Sequence, residues 1–553
     1  MIKKLSIVFV SLLILTLVLW INRVNLLVWG LPFVVDAARP VAENTQITWP
    51  DGPSDDERVV TNKPNIILIL ADDLGFNDVS LYNGGAGDGT LMTPNIDRIG
   101  KEGVIFNKGY AASASCSPSR ASTMTGRYST RFGYEFTPYF KIAQTFAQWV
   151  NDIDDPVLKS EINRNASEEF VDLYSTGMSP EEITIAEVLK NEGYYNAHIG
   201  KWHLGVIEGT TPTDQGFDDS LQMLSGLYLP KNDPNVVNAK TNEAIDNMVW
   251  SASQFSVSFN NSEAFEPGGY LTDYYTDEAI KVIEKNRNRP FFLYLGHFAP
   301  HNPLQSLKED YDHFTHLQGD DQHKLRVYSG MLKSLDRGIG KILDALENLG
   351  ISDNTLIIFS SDNGGADYIH LSNINKPYRG WKLTHFEGGM HIPFMAKWPN
   401  KIKAGSIYNY PIHQNDILPT VAEAAGAQIP NDRIIDGKNL IPYINNEIKI
   451  PPHETLFWIS GRLKTVMHNE WKLIKDEKIN KNWLFNLSND PTERNNLAET
   501  NPIKVTELEL MLFNHMKEQS PPVFQSSLSI PVLIDKHGGQ EYVEGDEYLY
   551  WDN

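Results

Sequence analysis

The sequence predicts an α/β protein: a large domain whose mixed, mostly parallel sheet is flanked by helices, plus a smaller C-terminal domain with an antiparallel sheet and a helix. Three observations carry this. Near-continuous apolar runs end in polar or acidic residues, as strands buried on both faces do. Helical periodicity fills the stretches between them, the alternation expected of a parallel sheet. After about residue 445 the pattern changes to short strands at close spacing.

In chain order, Lys3 and Lys4 precede Leu5 to Ile21, 17 residues without a charge. That is long for a signal-peptide core and at the lower limit for a spanning helix. Asn22-Arg23 interrupts the run, and Val24 to Val35 is mostly apolar again. Residues 1–35 therefore read as an uncleaved membrane anchor, with the body facing the periplasm or cell exterior. Val35-Asp36-Ala37 leaves signal cleavage and a secreted body as the alternative. No cysteine closely follows the apolar run, which excludes a bacterial lipoprotein anchor. Residues 36–61 read as a linker, from Pro40, Pro50, Pro53 and the charged run Asp55-Asp56-Glu57-Arg58.

The large domain, 62–445, opens with the β-branched run Asn65 to Leu70, bounded by Pro64 and by Asp72-Asp73. Tyr195 to Ile199, Pro290 to Leu295 and Thr355 to Ser360 are further strands of this kind. Thr184 to Asn191, Asp273 to Glu284 and Leu325 to Leu349 carry helical periodicity between them. In such sheets the ligand lies beyond the carboxyl ends of the strands. Asp72-Asp73, Lys201, His301 and Asp362-Asn363 all fall just past strand ends, so one rim collects them. In the small domain, 446–553, Thr455 to Ile459, Leu463 to Met467, Trp471 to Ile474 and Leu484 to Leu487 read as strands, and Val505 to Glu518 as a helix.

With 553 residues, 41% hydrophobic and 21% charged, a large core is available and global disorder is excluded. The formal net charge of -22 argues against nucleic acid as a partner, because a basic face would be needed. An anionic substrate stays open, because a local cationic pocket or a bound metal inverts the field.

Cys116 is the only cysteine, and it opens Cys116-Ser117-Pro118-Ser119-Arg120, followed by Thr125-Gly126-Arg127. One thiol makes no intramolecular disulfide. A small buried hydrophobe, the usual behaviour of free cysteine, suits an apolar segment. Here the flanks are Ala112-Ser113-Ala114-Ser115 and Pro118, Arg120, which read as a loop that carries chemistry.

Asp72, Asp73, Asp362 and Asn363 offer hard oxygen ligands at two strand ends, a set that selects Ca2+ or Mg2+ over softer metals. Capping and turn chemistry would explain either pair alone; two pairs at two buried strand ends point to a metal. Lys201 and His203, one residue apart in an extended strand end, are expected to face the same side. Pro300-His301-Asn302-Pro303 rigidifies a histidine, and Arg379-Gly380-Trp381-Lys382 adds two cations. Several such groups in glycine- or proline-framed turns suggest an oxyanion site.

These segments resemble a type I sulfatase of the alkaline-phosphatase-like superfamily. The likeness rests on Asn65 to Asp73, Thr93-Pro94-Asn95, Cys116 to Arg127, Gly200 to Gly205, Pro212 to Asp218, Pro300 to Pro303, Ser361 to Gly365, Arg379 to Pro393 and Leu484 to Leu497. It runs from about residue 62 to about 500. The resemblance implies that a dedicated maturation enzyme oxidises Cys116 to formylglycine, reading Pro118 and Arg120. It implies one Ca2+ per chain on Asp72, Asp73, Asp362, Asn363 and the modified Cys116. One hydroxyl of the hydrated aldehyde would attack sulfur, and the other would drive sulfate off. Arg120 and Lys201 would position and polarise that diol, His203 would be the base for elimination, and His301 and Lys382 would bind sulfate and protonate the leaving group.

The implied substrate is a sulfate ester, and an anchored or exported body points to carbohydrate such as ulvan or carrageenan, their oligosaccharides, or glycosaminoglycans. Tyr134, Phe136, Tyr139, Phe140 and Trp149, with Trp250, Phe255, Phe259, Phe265 and Tyr270, read equally as sugar platforms and as loop anchors. A phosphonate or phosphodiester hydrolase of the same superfamily, and an inactive binder of sulfated glycans, are the alternatives. A cysteine phosphatase is excluded, because Ser122 stands where its loop needs arginine. The role implied for His203 predicts that His203→Ala is sulfated by substrate and keeps the adduct, seen as an added sulfate mass on the intact protein. Fast turnover without adduct would remove His203 from that role.

Overall fold

The computed structural model describes residues 9–553 apart from 10, 12, 15, 21, 60, 83, 85–88, 169, 242 and 318–320. The main sheet is built on β1 (Asn65–Asp72). With it lie β2 (Val104–Phe106), β3 (Tyr195–Gly200), β4 (Asp219–Met223), β5 (Val257–Phe259), β6 (Phe291–Pro300), β7 (Thr355–Ser361), β8 (Phe394–Lys397) and β9 (Ser406–Tyr408). Their order across the sheet is β9-β2-β8-β7-β1-β6-β3-β4-β5. β1 is parallel to β7 and β6, and β3 is parallel to β6 and β4. β8 and β5 run antiparallel to their neighbours at the two flanks. The sheet is therefore mixed and mostly parallel, as the apolar runs require.

Both faces are covered. Side chains alternate along β1, so Ile67 and Ile69 enter one core and Ile66, Leu68 and Leu70 the other. The first core is closed by Val282 and Ile283 of one helix and Leu335, Ile339 and Ile342 of another, and the second by Ala121, Met124, Ile185 and Leu189. In chain order the helices include α1 (Arg23–Ala38), α2 (Cys116–Thr125), α3 (Ile185–Lys190), α4 (Ala244–Ala252), α5 (Leu271–Asn286), α6 (Gln322–Asn348) and α7 (Pro502–Met516); α5 and α6 close the first core, and α2 and α3 the second. A capping box starts α3: Thr184 Oγ1 accepts from Glu187 N at 3.2 Å, and Glu187 Oε2 accepts from Thr184 N at 2.8 Å.

The expected anchor, Leu5 to Ile21, lies partly outside the described residues. Among the described residues no helix is long and apolar enough to cross a membrane. α1 has 16 residues with Pro32 inside it, and it exposes Leu26, Trp29, Phe33 and Val34. The segment expected as a linker is strapped to the body. Trp49 is buried and donates to Glu278 Oε2 at 2.7 Å, and Gly52 N donates to Lys285 O at 3.1 Å. Prolines and charges along this stretch hide the one tryptophan that docks it.

The small domain forms the antiparallel meander β10 (Thr455–Ser460), β11 (Leu463–His468), β12 (Trp471–Asp476) and β13 (Lys481–Asn486). α7 packs Val505, Leu508 and Leu512 on Val466, Leu473 and Leu484. The chain then returns to the large domain as β14 (Leu528–Leu533) and β15 (Tyr548–Asp552), and β14 also pairs with Glu161–Ile162. The two domains share a buried polar knot. Lys472 Nζ lies 2.7 Å from Glu387 Oε1 and 2.9 Å from Glu493 Oε1, and Glu493 Oε2 accepts from Glu387 N at 2.7 Å. Lys472→Ala leaves two buried carboxylates without their cation, so chemical denaturation should show a loss of about 3–5 kcal/mol.

Candidate active site

Parallel β1, β3, β6 and β7 end at the same rim, and each end delivers a polar group. Asp72 closes β1, and Asp73 follows in the left-handed region at φ 60°. Aspartate tolerates that region better than most residues, because its short polar side chain bonds locally. Asp73 N donates to Asp362 Oδ1 at 3.2 Å, which stitches the ends of β1 and β7 together. Asn363 Nδ2 donates to Asp73 Oδ1 at 2.8 Å.

Cys116 is the first residue of α2, not part of a loop. Ser115 is extended ahead of it and Gly126 ends the helix at φ 68°. Pro118 fits because first-turn N–H groups have no helical partner to lose. The helix presents Cys116 Sγ 3.5 Å from Asp72 Oδ1 and 3.9 Å from Asp73 Oδ1. Burial pushes its thiol up, and Asp362 adds to this. One turn on, Arg120 is fully buried. Its Nε and Nη2 reach Asp362 Oδ2 at 2.9 and 2.8 Å, and Nη1 donates to Lys201 O at 2.9 Å and to Tyr294 Oη at 3.0 Å.

Two lysines complete the cation set. Lys201 Nζ sits 2.6 Å from Asp72 Oδ2, and Lys382 Nζ 2.7 Å from Asp73 Oδ1 and 2.8 Å from Oδ2. Burial alone would raise the Asp73 carboxyl, but Lys382, His301 and Lys201 outweigh it and hold the group well below the usual carboxylate range. Burial with Asp72 and Asp73 nearby raises Asp362.

His203 does not continue an extended strand. β3 stops at Gly200, and His203 is left-handed at φ 62°, so the expected two-residue alternation with Lys201 does not apply. It still belongs to the site: burial, then Lys201, Arg120, Lys382 and His301, hold its ring well below the usual imidazole range. Its Nδ1 is buried without a protein partner, and its carbonyl accepts from Ser117 Oγ at 2.9 Å. His301 stacks on Phe298 at 4.7 Å between centroids. Its Nδ1 donates to Asn302 O at 2.5 Å, which leaves Nε2 3.6 Å from Asp73 Oδ2. Burial pushes it down to about 3.

Arg379 stands apart from this group. It turns toward the small domain, where its Nε meets Asp535 Oδ1 at 3.0 Å, Nη2 meets Glu547 Oε2 at 2.7 Å and Nη1 donates to Glu493 O at 2.7 Å. Residue type alone did not separate it from Lys382, three positions on. Three contributors went unread. Tyr368 Oη donates to Asp73 Oδ2 at 3.1 Å and accepts from Lys382 Nζ at 3.2 Å. Ser119 Oγ donates to Gln414 Oε1 at 2.7 Å, and Gln414 Nε2 donates to Ser361 O at 2.6 Å, which ties α2 to the end of β7. No spacing signal marks Tyr368 or Gln414, and Ser119 stands inside the Cys116–Arg120 motif but has no assigned role there. Of the candidate aromatic platforms, Tyr134, Phe136, Trp250, Phe255, Phe265 and Tyr270 are buried and act as loop anchors.

Among the described residues, Asp72, Asp73, Cys116 and His301 present ligand atoms within 4.8 Å of one another. Asn363 Oδ1 is buried with no protein partner. A buried acceptor in that state, beside a cluster of carboxyl oxygens, fits a hard cation. The placement of the two cations separates their losses. Arg379→Ala should cost about 1.5–3 kcal/mol of stability, as expected for hydrogen bonds to charged groups. Lys382→Ala should cost about 100-fold or more in turnover, the scale for losing a fixed electrostatic donor. Denaturation and steady-state kinetics on both variants check this.

The profile of the family described as Sulfatase matches residues 64–427. That of the N-sulphoglucosamine sulphohydrolase C-terminal region matches 381–520. An N-acetylgalactosamine-6-sulfatase of Rattus norvegicus is 34% identical over 68% of this chain, and the match spans 65% of that relative's length. A steryl-sulfatase of Homo sapiens is 32% identical over 72% of this chain and 73% of its own. The crystal structure of Ps i-CgsB in complex with k-i-k-neocarrahexaose superposes with a TM-score of 0.68 at 30% identity, covering 84% of this chain and 94% of that one. The first matched stretch contains every residue of the rim, from Asp72 to Lys382, and on this ground the chain belongs to the sulfatase family.

Proposed function

We propose that this protein is a sulfuric ester hydrolase that frees inorganic sulfate from sulfated carbohydrates, with Cys116 matured to formylglycine and one Ca2+ held by Asp72, Asp73, Asp362 and Asn363. The observation that carries this is one buried cysteine at a helix start, facing three carboxylates and three cations. A thiol pushed up by burial is not a thiolate at neutral pH, so the unmodified residue is a poor nucleophile. Formylglycine supplies, as its hydrate, an oxygen nucleophile in place of sulfur.

Charge supports the metal. By formal charge the three carboxylates Asp72, Asp73 and Asp362 match the three cations Arg120, Lys201 and Lys382. A divalent cation would leave a net positive charge to meet the single negative charge of a sulfate ester and the second charge that appears when inorganic sulfate is released. Arg120 orders Asp362 and the Lys201 carbonyl, and its fork holds both in register. Against the pull of burial, Asp73 holds the Lys382 ammonium well above the usual lysine range, and Lys201 and Lys382 together attract sulfate oxygens and stabilise charge that grows on them. His203, kept neutral, is free to accept a proton. His301 has committed Nδ1 to Asn302 O, so it donates to a sulfate oxygen only when Nε2 is also protonated. An adjacent anion favours that state.

The Ps i-CgsB complex, a structure with a bound carrageenan hexasaccharide, and the relative named for N-acetylgalactosamine support carbohydrate as the carrier of the ester. The exposed apolar side chains of α1 support an exported body held at a membrane surface.

Peptide mass spectrometry of the Cys116 segment from the native host, with sulfate release from carrageenan, ulvan and glycosaminoglycan fragments, tests the reading. Formylglycine and sulfate release are expected. An unmodified thiol with no release, or turnover of phosphonate or phosphate diesters in its place, would overturn it. Removing the metal with EGTA should lower the melting temperature, and Ca2+ at 100-fold its Kd should restore about 2.7 kcal/mol. Asn363→Ala should weaken that recovery.

A further inference from the structure

A cleft of about 850 Å3 lies beside the centre, and the chemistry above makes no use of it. This falls within the range of roughly 300–1,000 Å3 common for small-molecule sites. Lys240 and Glu243 line it ahead of α4, His323 lines it at the start of α6, and His370 faces Gln540 and Glu541 of the C-terminal segment.

The cleft shares two walls with the centre. The turn Asp367–Ile369 puts Tyr368 on Asp73 and Lys382, and His370, at its end, faces the cleft. On the other side Asn302, next to His301, donates to Asp246 Oδ1 at 2.9 Å. Asp246 Oδ2 accepts from Thr241 N at 2.7 Å, which holds the Lys240–Glu243 wall. The centre and the cleft are therefore joined through both of these walls.

The wall is built, not incidental. His370 is left-handed at φ 60°, a conformation non-glycine residues rarely adopt. Its Nε2 donates to Glu243 Oε1 at 3.0 Å, and its ring stacks on His537 at 5.1 Å and 19°. Gly538 N donates to Asp367 O at 3.2 Å. A Cβ on Gly539 would stand 2.6 Å from two atoms of the His370 ring, so only glycine lets the C-terminal segment close on it. This segment lies beyond both stretches matched by family profiles.

Apart from Gly538 and Gly539 every lining side chain is polar: charged, amide, hydroxyl or imidazole, with no purely hydrocarbon side chain. A lipid or sterol would find little apolar side chain to bury against. A sugar ring, with a hydroxyl at nearly every carbon, matches alternating donors and acceptors. Resting on the sulfatase reading above, we propose that this cleft binds the sugar unit adjoining the sulfated one. The enzyme thus reads at least a disaccharide, and the C-terminal segment sets which one it accepts.

The test compares kcat/KM on k-i-k-neocarrahexaose, chondroitin-6-sulfate tetrasaccharide and ulvan oligosaccharides, each against its sulfated monosaccharide. The enzyme carries formylglycine. The best oligosaccharide is expected to exceed its monosaccharide by about tenfold or more. His370→Ala and Gly539→Ala should raise KM for that oligosaccharide by a similar factor with kcat kept within about twofold, which collapses the preference. Gln540→Ala, in an exposed turn, should do so more mildly and without risk to folding. A monosaccharide as good as the oligosaccharide, or equal losses on both in all three variants, would overturn the proposal. If the enzyme releases sulfate from none of them, the sulfatase reading falls first. Calorimetric titration with the same oligosaccharides then decides the cleft: binding lost in His370→Ala upholds it, and no binding to the parent protein overturns it.

Discussion

Three carboxylates buried at one rim are the constraint on which the rest of the structure depends. Asp72, Asp73 and Asp362 are almost without solvent exposure. An isolated buried carboxylate costs several kcal/mol even after relaxation. Each therefore needs a cation, and each cation comes from a different element: Arg120 from α2, Lys201 from the end of β3, Lys382 from the turn before β8. The parallel order β7-β1-β6-β3 is what lets these elements converge, since only parallel neighbours end at the same rim. The sheet is thus as much a device for collecting charges as a core. The two apolar clusters on its faces hold it rigid enough for the collection to work.

The same logic reaches into the small domain. Lys382 sits on a turn whose backbone is pinned from behind: Gly380 N donates to Ile534 O at 3.2 Å, and Arg379 spans to Asp535, Glu547 and Glu493. The Glu387–Lys472–Glu493 knot stands just beyond it. Buried ionic groups of this kind are poor sources of net stability, but breaking one is costly, so they specify a single arrangement. The small domain therefore reads as a brace for the Lys382 turn, which explains why its last strands return to the large domain. A linker drawn from composition alone misses its docking, since a single buried residue, Trp49, carries it.

The legible part of the sequence and the illegible part divide on physical lines. Apolar runs flanked by acids placed β1, β3, β6 and β7, because burial on both faces leaves no room for other residues. Asp72, Asp73, Cys116, Arg120, Lys201, His301, Asp362, Asn363 and Lys382 fall at strand ends, a helix start or glycine-framed turns, and the structure brings them together. Local backbone was harder. Serine, proline and arginine around Cys116 suggested a loop, yet Pro118 is compatible with a first helical turn and Gly126 closes a full helix. His203 reaches the site through a left-handed bend that alternation does not predict. Tyr368 and Gln414 are ordinary residues made functional only by where long-range packing puts them, and no local pattern encodes that.

Cys116 concentrates the remaining tension. A thiol at a helix start, near Lys201 and Lys382, would ordinarily be drawn toward the thiolate. Here burial and the neighbouring carboxylates win, and the sulfur stays protonated. The carboxylates cannot be relaxed without losing the oxygen cluster, and burial cannot be relaxed without opening the rim to water. On the proposed reading, the chain as translated thus holds a nucleophile position without a competent nucleophile, inside a frame of three carboxylates and three cations. Conversion of that one side chain to an oxygen nucleophile resolves the conflict without moving any other group. This is the physical reason to read the lone cysteine as a precursor and the surrounding frame as the finished part of the site.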